Sequence, residues 1–377
     1  MLKKTLIISA LVMLLVGMLP LAAFAQDGEM EPIESVCLVT DLGRVNDGTF
    51  NQFAHLGAQA AAEDFDLDYS FIETQSETDY AANIQTCVNE GFDAIVTVGF
   101  LIADATREAA EANPDVYFIG VDQFVPPESP KNLVGIQFRE DQAGFLAGAL
   151  AAMVSESGIV AGIYGIDIPP VVKFRNGFEQ GAHYVNPDIE TLGVYIDDFV
   201  APDRGASAAE QFIGEGADVI FGAGGPTGTG GILAAAAQGV WVIGVDQDEY
   251  VTSFGEGETE GAEFVISSAM KRVDQGVYDM IAALAEGRFE DFPGGGMYVM
   301  GAAENGIGLA PKHDADVPDE VYEALDEIFE GLASGEIDTG VDPVTGELKS
   351  DMEDMGGEDM GAEMTPEATE EAESSDG

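Results

Sequence analysis

The strongest constraint on the fold is a pattern that runs through the chain twice. Short β-branched runs, "SVCLVT", "YSFIE", "DAIVTV" and "VYFIGV", alternate with stretches of helical spacing, and a second series, "GIVAGIYG", "ETLGVYI", "ADVIFGAG" and "VWVIGV", does the same. Apolar runs of this length separated by helix-length segments predict buried parallel strands joined by crossover helices. Tyr80, Ile84, Cys87 and Val88 fall on one helical face, and Gly91 sits where a left-handed cap belongs. The two series also match each other. "GFDAIVTVG" from Gly91 and "GADVIFGAG" from Gly216 lie 125 residues apart, while "FIGVDQ" from Phe118 and "VIGVDQ" from Val242 lie 124 apart. Internal similarity at a near-constant offset predicts two similar lobes, each a doubly wound α/β sheet, rather than one large sheet.

After the second series, "EFVISSAMKRVDQGVYDMIAALAEGRF" reads as a strand and a long helix, and "YVMGAAENGIGLA" follows it. A last helix, "DEVYEALDEIFEGLASG", ends with Gly335. Late elements of this kind are expected to cross back to the first lobe, so that several strands bridge the two. The reading gives a leader over residues 1–25, lobe I over 33–137 plus 262–288, lobe II over 138–261 plus 289–341, and an acidic tail over 342–377. The tail has almost no large apolar side chains, which predicts disorder. The leader has Lys3 and Lys4, an apolar run from Leu6 to Phe24, and Ala23-Phe24-Ala25, the small-x-small triplet of an export signal. Retained uncleaved, its run of about 19 apolar residues would instead serve as a membrane anchor.

Against 14 Lys and Arg stand 70 Asp and Glu, a formal net charge of −56. Nucleic acid and anionic membrane surfaces are excluded as partners, because neutralising phosphate takes clustered basic side chains. Self-repulsion of such a surface favours a soluble monomer, and salt relieves its cost. Cys37 and Cys87, with scattered His55, His183 and His313, lack zinc-site spacing, so neither a metal nor a cofactor is expected. In an oxidising compartment the cysteines either pair as a disulfide or stay as buried thiols.

Ligands of open α/β sheets gather beyond the carboxyl ends of the strands. Asp41, Asp122 and Asp246 each follow such a strand, although each also suits a plain capping role. In "DLGRVNDGTFNQ", residues 41–52, Thr49 and Gln52 fit a capping box. Phe53, Leu56, Gly57 and Ala60 supply the buried face of the helix that follows. Phe50 is left over. A ring at the mouth of a sheet, beside the amides and carboxylates of Asn46, Asp47 and Asn51, suits a flat ligand with polar edges. "GAGGPTGTGG" offers the backbone of Gly224 and Gly225 but lacks the Lys-Ser/Thr pair of a phosphate loop.

Taken together, "DLGRVNDGTFNQ", "FREDQAGFLAGALAAM", "GIDIPPVVKFRNGFEQGAHYVNP", "GAGGPTGTGGILAAA", "VIGVDQD" and "VISSAMKRVD" resemble the basic membrane protein family of ABC transporter substrate-binding proteins, which includes purine nucleoside receptors. The resemblance covers residues 35 to about 340. It implies a type I periplasmic-binding-protein fold, two doubly wound parallel-sheet lobes with a ligand cleft between them that closes on ligand. It further implies that Phe50 and Phe174 stack on the base, that Asn46, Asp47 and Asp122 bond its edge, and that Asp246, Lys271 and the backbone of Gly224 and Gly225 hold the ribose. Asp41 and Asn51 stand beside them. The partners so implied are a nucleoside and the permease subunits, and the location is periplasmic or cell-surface. No cysteine occupies residues 20–30, which speaks against a lipid anchor, and Thr49 stands where the family pattern suggests Ser. Two other functions compete: a sensory or transport binding protein for a sugar or other small polar ligand, and a nucleoside hydrolase with paired carboxylates as acid and base. No nucleophile-base pair is evident, which favours binding over catalysis.

Overall fold

The structure, a computed structural model, describes residues 31–354; the leader, residues 20–30 and the chain beyond 354 lie outside the described residues. Lobe I opens with β1 (Ser35–Val39), α1 (Phe50–Phe65), β2 (Asp68–Ile72), α2 (Tyr80–Glu90), β3 (Ala94–Val98), α3 (Ala103–Ala112), β4 (Tyr117–Val121) and β5 (Leu133–Phe138). Lobe II follows with α4 (Glu140–Val154), β6 (Ile159–Tyr164), α5 (Pro169–Val185), β7 (Glu190–Tyr195), α6 (Pro202–Glu215), β8 (Val219–Ala223), α7 (Pro226–Ala236), β9 (Trp241–Asp246), α8 (Glu249–Thr252) and β10 (Val265–Lys271). The chain then forms α9 (Val273–Ala285), β11 (Gly296–Met300), β12 (Ile307–Leu309), α10 (Asp319–Ser334) and α11 (Lys349–Asp354).

One sheet has the order β11-β5-β4-β3-β1-β2 and the other β12-β10-β9-β8-β6-β7. Pairing is parallel throughout except for β12 on β10. The internal repeat is therefore a repeat of topology, since β2-β1-β3-β4-β5 and β7-β6-β8-β9-β10 are the same winding. Central strands β3 and β8 are buried at every position, as helix-covered parallel strands require. "YSFIE" and "ETLGVYI" contain the edge strands β2 and β7, half-exposed rather than buried, with Phe71 open to solvent.

The late elements cross in a different order from that read in the sequence. β10 stays in lobe II beside β9, α9 packs on α1 of lobe I, β11 adds to β5, and β12 returns to lobe II. Residues 262–271 thus belong to lobe II, and α9 with β11 belongs to lobe I. The physical reason is that β9 to β10 is a local crossover, and sequential strands pair with neighbours. Three segments bridge the lobes, at Arg139, Arg272 and Gly301. They are tied together by Arg139 N donating to Met300 O (3.1 Å) and Arg272 N donating to Gly306 O (2.9 Å).

On α1, the buried face is Ala54, Gly57, Ala58 and Ala61, while Leu56 and Ala60 face solvent. Helix α9 comes so close that a Cβ on Gly57 would lie 2.2 Å from the Asp274 carbonyl oxygen. Gly91 ends α2 at φ 87° and Gly335 ends α10 at φ 78°, both left-handed as the spacing predicts. Cys37 and Cys87 form a disulfide, with Cα atoms 6.0 Å apart, joining β1 to α2.

Order continues past residue 342. Val341 bridges Leu348, and the Asp342 carboxylate accepts the N–H groups of Val344 (3.0 Å) and Thr345 (2.8 Å). The turn so formed lies on α5, where Asn176 Nδ2 donates to Gly346 O (2.7 Å). A self-satisfied Asx turn beside a fully buried Val341 orders a stretch whose composition alone predicts disorder.

Candidate functional site

Each sheet has a switch point, between β1 and β3 in lobe I and between β6 and β8 in lobe II, where neighbouring strands lead to opposite faces. A cavity walled by both lobes opens at these carboxyl ends, the place where doubly wound sheets bind their ligands. Lobe I contributes Asp41, Asp47, Thr49, Phe50, Asn51 and Asp122 to its walls, and lobe II contributes Phe174, Gly224, Gly225, Asp246 and Lys271. Gly99, Phe100, Ile168 and Phe199 also line it. Those four escaped the sequence reading, although Phe100 and Phe199 carry the same signal as Phe50, an aromatic just beyond a strand. Asn46 is exposed and is not a cavity residue.

Asp122 and Asp246 have matching backbones, φ 61° and 64°, in the left-handed region that Asp tolerates better than most residues. The repeated "VDQ" is thus a repeated bend that turns each carboxylate out of its strand. The N-termini of α1, α5 and α7 meet the same cavity, the last two starting on Pro169 and Pro226, whose ring pre-sets the helical φ.

The start of α1 is capped differently from the box read in the sequence. Asp47 Oδ1 accepts Thr49 N (2.9 Å) and Gln52 N (3.1 Å), and Asp47 Oδ2 accepts Asn51 N (3.2 Å). Gln52 Oε1 accepts Gly48 N (2.8 Å) rather than reaching Thr49. Asp47 has taken the cap, and its oxygens are occupied by the chain. The buried Thr49 hydroxyl has no hydrogen-bond partner among the described residues. Asn51 Nδ2 donates to Asp41 Oδ1 and to Asp47 Oδ2, both at 3.0 Å, which fixes the amide orientation.

Lys271 does not pair with Asp246. Its Nζ lies 2.6 Å from Asp122 Oδ2 and 2.8 Å from Glu140 Oε1, so the ion pair to Asp122 spans the lobes. Glu140 Oε2 meets Lys173 Nζ at 2.5 Å, and that ammonium also donates to Phe138 O at 2.9 Å. Glu140 and Lys173, 0% and 1% exposed at their side chains, are a missed part of the site. A lysine inside the apolar "VVKF" was their signal. Rings surround the Lys271 ammonium, with centroids of Phe50 at 5.0 Å, Phe138 at 5.1 Å and Phe174 at 5.9 Å. Phe174 is both core and cavity wall, since it also meets Phe221 edge-on at 6.1 Å.

Burial pushes the Asp41 carboxyl up to about 7, with the Asn51 bond opposing and the charges of Asp47 and Asp122 adding to it. Burial pushes Asp246 up to about 7 as well, against the pull of Lys271. Burial would lower the Lys271 ammonium, but Asp122 and Glu140 outweigh it and keep the group charged. Burial would raise Glu140, and Lys173 and Lys271 hold it below the usual range. The site thus combines aromatic faces, one firmly charged donor and acidic acceptors, equipment for hydrogen bonding and stacking. Among the described residues no group of His, Cys, Asp or Glu could hold a metal ion, and no helix is long and apolar enough to cross a membrane.

Known proteins share this arrangement of sequence. Residues 34–335 match the Bmp family, described as "ABC transporter substrate-binding protein PnrA-like". The "CD4+ T-cell-stimulating antigen" of Listeria monocytogenes is 30% identical over 80% of this chain and 87% of its own length. The "ABC transporter nucleoside-binding protein BmpA" of Lactococcus lactis is 29% identical over 87% of this chain and 97% of its own. Among solved structures, an ABC transporter solute-binding protein from Aeropyrum pernix K1 superposes with a TM-score of 0.71 at 28% identity, covering 81% of this chain and 93% of that one. A sugar transporter from Clostridium phytofermentans, at 18% identity and a TM-score of 0.55, shares the fold. Proteins of this kind bind and deliver, without catalysis, outside the cytoplasm. The chain belongs to the Bmp family of ABC transporter substrate-binding proteins, with the type I periplasmic-binding-protein fold.

Proposed function

We propose that the chain captures a purine nucleoside between its lobes, as a monomer, and hands it to the permease subunits of an ABC transporter. The observation that carries this reading is the pair of rings, Phe50 from lobe I and Phe174 from lobe II, flanking the Lys271 ammonium on one cavity. A base slots between the rings, and stacking is worth about 1–3 kcal/mol per base by alanine substitution. Asp122 and Asn51 bond its edge, Asp246 accepts from the ribose diol, and Lys271 donates to the sugar oxygens. Gly225 (φ 55°) lets backbone amides at the start of α7 approach the ligand. The nucleoside-binding relative in Lactococcus lactis supports the choice of ligand. The leader directs export, and the permease holds the protein at the membrane.

The test is calorimetric titration with inosine, guanosine and adenosine, followed by chromatography of the recovered ligand. Micromolar or tighter binding of intact nucleoside is expected, and Phe50→Ala weakens it at least about tenfold while leaving the ligand-free melting temperature nearly unchanged. Recovery of free base would make the protein a hydrolase. Binding of sugars but of none of the three nucleosides would overturn the reading.

A further inference from the structure

We infer that Gln247 is a positioning residue for ligand capture, a latch that ties the start of α1, and with it Phe50, to lobe II across the closed cleft. The inference rests on the reading of the cleft as the nucleoside site. Gln247 Nε2 donates to Thr49 O at 2.6 Å, a buried bond between residues of different lobes. The same carbonyl accepts Phe53 N at 3.0 Å, the first helical bond of α1. One lobe II amide therefore joins the turn that holds Phe50, the residue that follows Thr49.

Two further approaches converge on this turn. A Cβ on Gly225 would lie 3.8 Å from Thr49 Oγ1, and one on Gly48 would lie 3.7 Å from Ser253 Oγ. Residues 48 and 49 are thus approached by two segments of lobe II, the β8–α7 turn at Gly225 and the stretch from Gln247 to Ser253 around α8.

The internal repeat supplies the comparison that gives the contact meaning. Gln123 occupies the matching place after the matching bend at Asp122. Its Nε2 donates to Thr97 Oγ1 (3.0 Å) and Gly99 O (3.1 Å), both inside lobe I. The bend does not oblige its glutamine to reach across the cleft, because in the other copy it staples its own lobe. Gln247 is also one peptide from Asp246, and its N–H donates to Val245 O at 2.7 Å in a tight turn. A ligand that fixes the Asp246 carboxylate fixes the origin of the latch, so binding and closure share one rigid segment. A latch made after the ligand has entered acts on escape rather than on encounter.

Wild-type protein, Gln247→Ala and Gln123→Ala are compared by stopped-flow release of inosine, guanosine and adenosine, by thermal melting without ligand, and by hydrogen exchange at amides 49–53. Gln247→Ala is expected to release nucleoside about five- to tenfold faster, the effect of one buried hydrogen bond. Its association rate stays within about twofold, and amides 49–53 exchange faster. Gln123→Ala is expected to lower the melting temperature and leave release unchanged. Release from Gln247→Ala at the wild-type rate overturns the latch. Should wild-type protein bind none of the three nucleosides, the ligand reading fails separately and the exchange data judge the latch alone. Faster exchange at residues 49–53 in Gln247→Ala then supports it, and unchanged exchange overturns it.

Discussion

Asp246 and Asp41 show what a single side chain contributes to a cleft that must be acidic and dry together. Both carboxyls are pushed by burial to about 7 from an ordinary 3.8. In the unfolded chain they ionise near 3.8, so between that pH and about 7 the folded protein holds protons that the unfolded one has released. Their contribution to stability therefore falls as pH rises through this window and is level above it. Ligand binding runs the other way, since a carboxylate accepts from both hydroxyls of a diol only when ionised. The rise in melting temperature from saturating inosine should be larger at pH 8 than at pH 5.5, as read by differential scanning fluorimetry. Equal rises would remove an ionised Asp246 from the ligand. The strand-end carboxylates were legible in sequence because a strand's end fixes where its next residue lies. The division of labour among Asn46, Asp47, Thr49 and Asn51 was not legible, because which neighbouring polar group caps a helix depends on the path of the turn. The pairing of Lys271 with Asp122 rather than Asp246 was hidden for the same kind of reason, since it needs both lobes in place.

Among the elements, the disulfide from β1 to α2 has a clear energetic signature. It joins residues 50 apart in sequence, at Cys37 and Cys87, and a closed loop of that size typically stabilises by roughly 2–4 kcal/mol. Neither cysteine lines the cavity. Cys37→Ser with Cys87→Ser should lower the unfolding free energy by about that amount in urea titration and leave nucleoside affinity within about twofold, less than 0.5 kcal/mol. A large loss of affinity would mean that the α2 contact shapes the cleft. Each central strand and its following helix was readable from hydrophobic period alone, since strands covered on both faces tolerate little but β-branched and apolar residues. The edge strands β2 and β7 and the sheet membership of β10 and β11 were less so. An apolar run announces a strand and does not say which sheet it joins. The alanine-glycine face of α1 was likewise obscured by Phe53 and Leu56, because tight helix packing rewards small residues over large apolar ones.

The whole molecule carries a formal charge of −56, and this sets how it answers to salt. Among the described residues most ion pairs lie on the surface and are partly solvated, as at Arg288, Lys312 and Lys349, where each is worth little. They cannot balance so large an acidic excess, and repulsion among the remaining carboxylates opposes the compact state. The Debye length falls from about 30 Å at 0.01 M to about 3 Å at 1 M, so added salt removes most of that repulsion. The buried chain from Asp122 through Lys271 and Glu140 to Lys173 is out of reach of mobile ions, with side chains at most 5% exposed. Stability and binding should therefore separate. Between 0.01 M and 1 M sodium chloride the melting temperature should rise by several degrees, while inosine affinity moves by less than about twofold, because inosine carries no charge for salt to screen and the Lys271 ion pairs are buried away from mobile ions. A nucleoside monophosphate provides the contrast, since its phosphate must enter an acidic field that only salt can weaken. Its affinity should be lower than that of inosine at low salt and recover as salt is raised. Calorimetry at the two ionic strengths checks both trends, and tight monophosphate binding at 0.01 M would mean that the cleft presents a cationic face to its ligand.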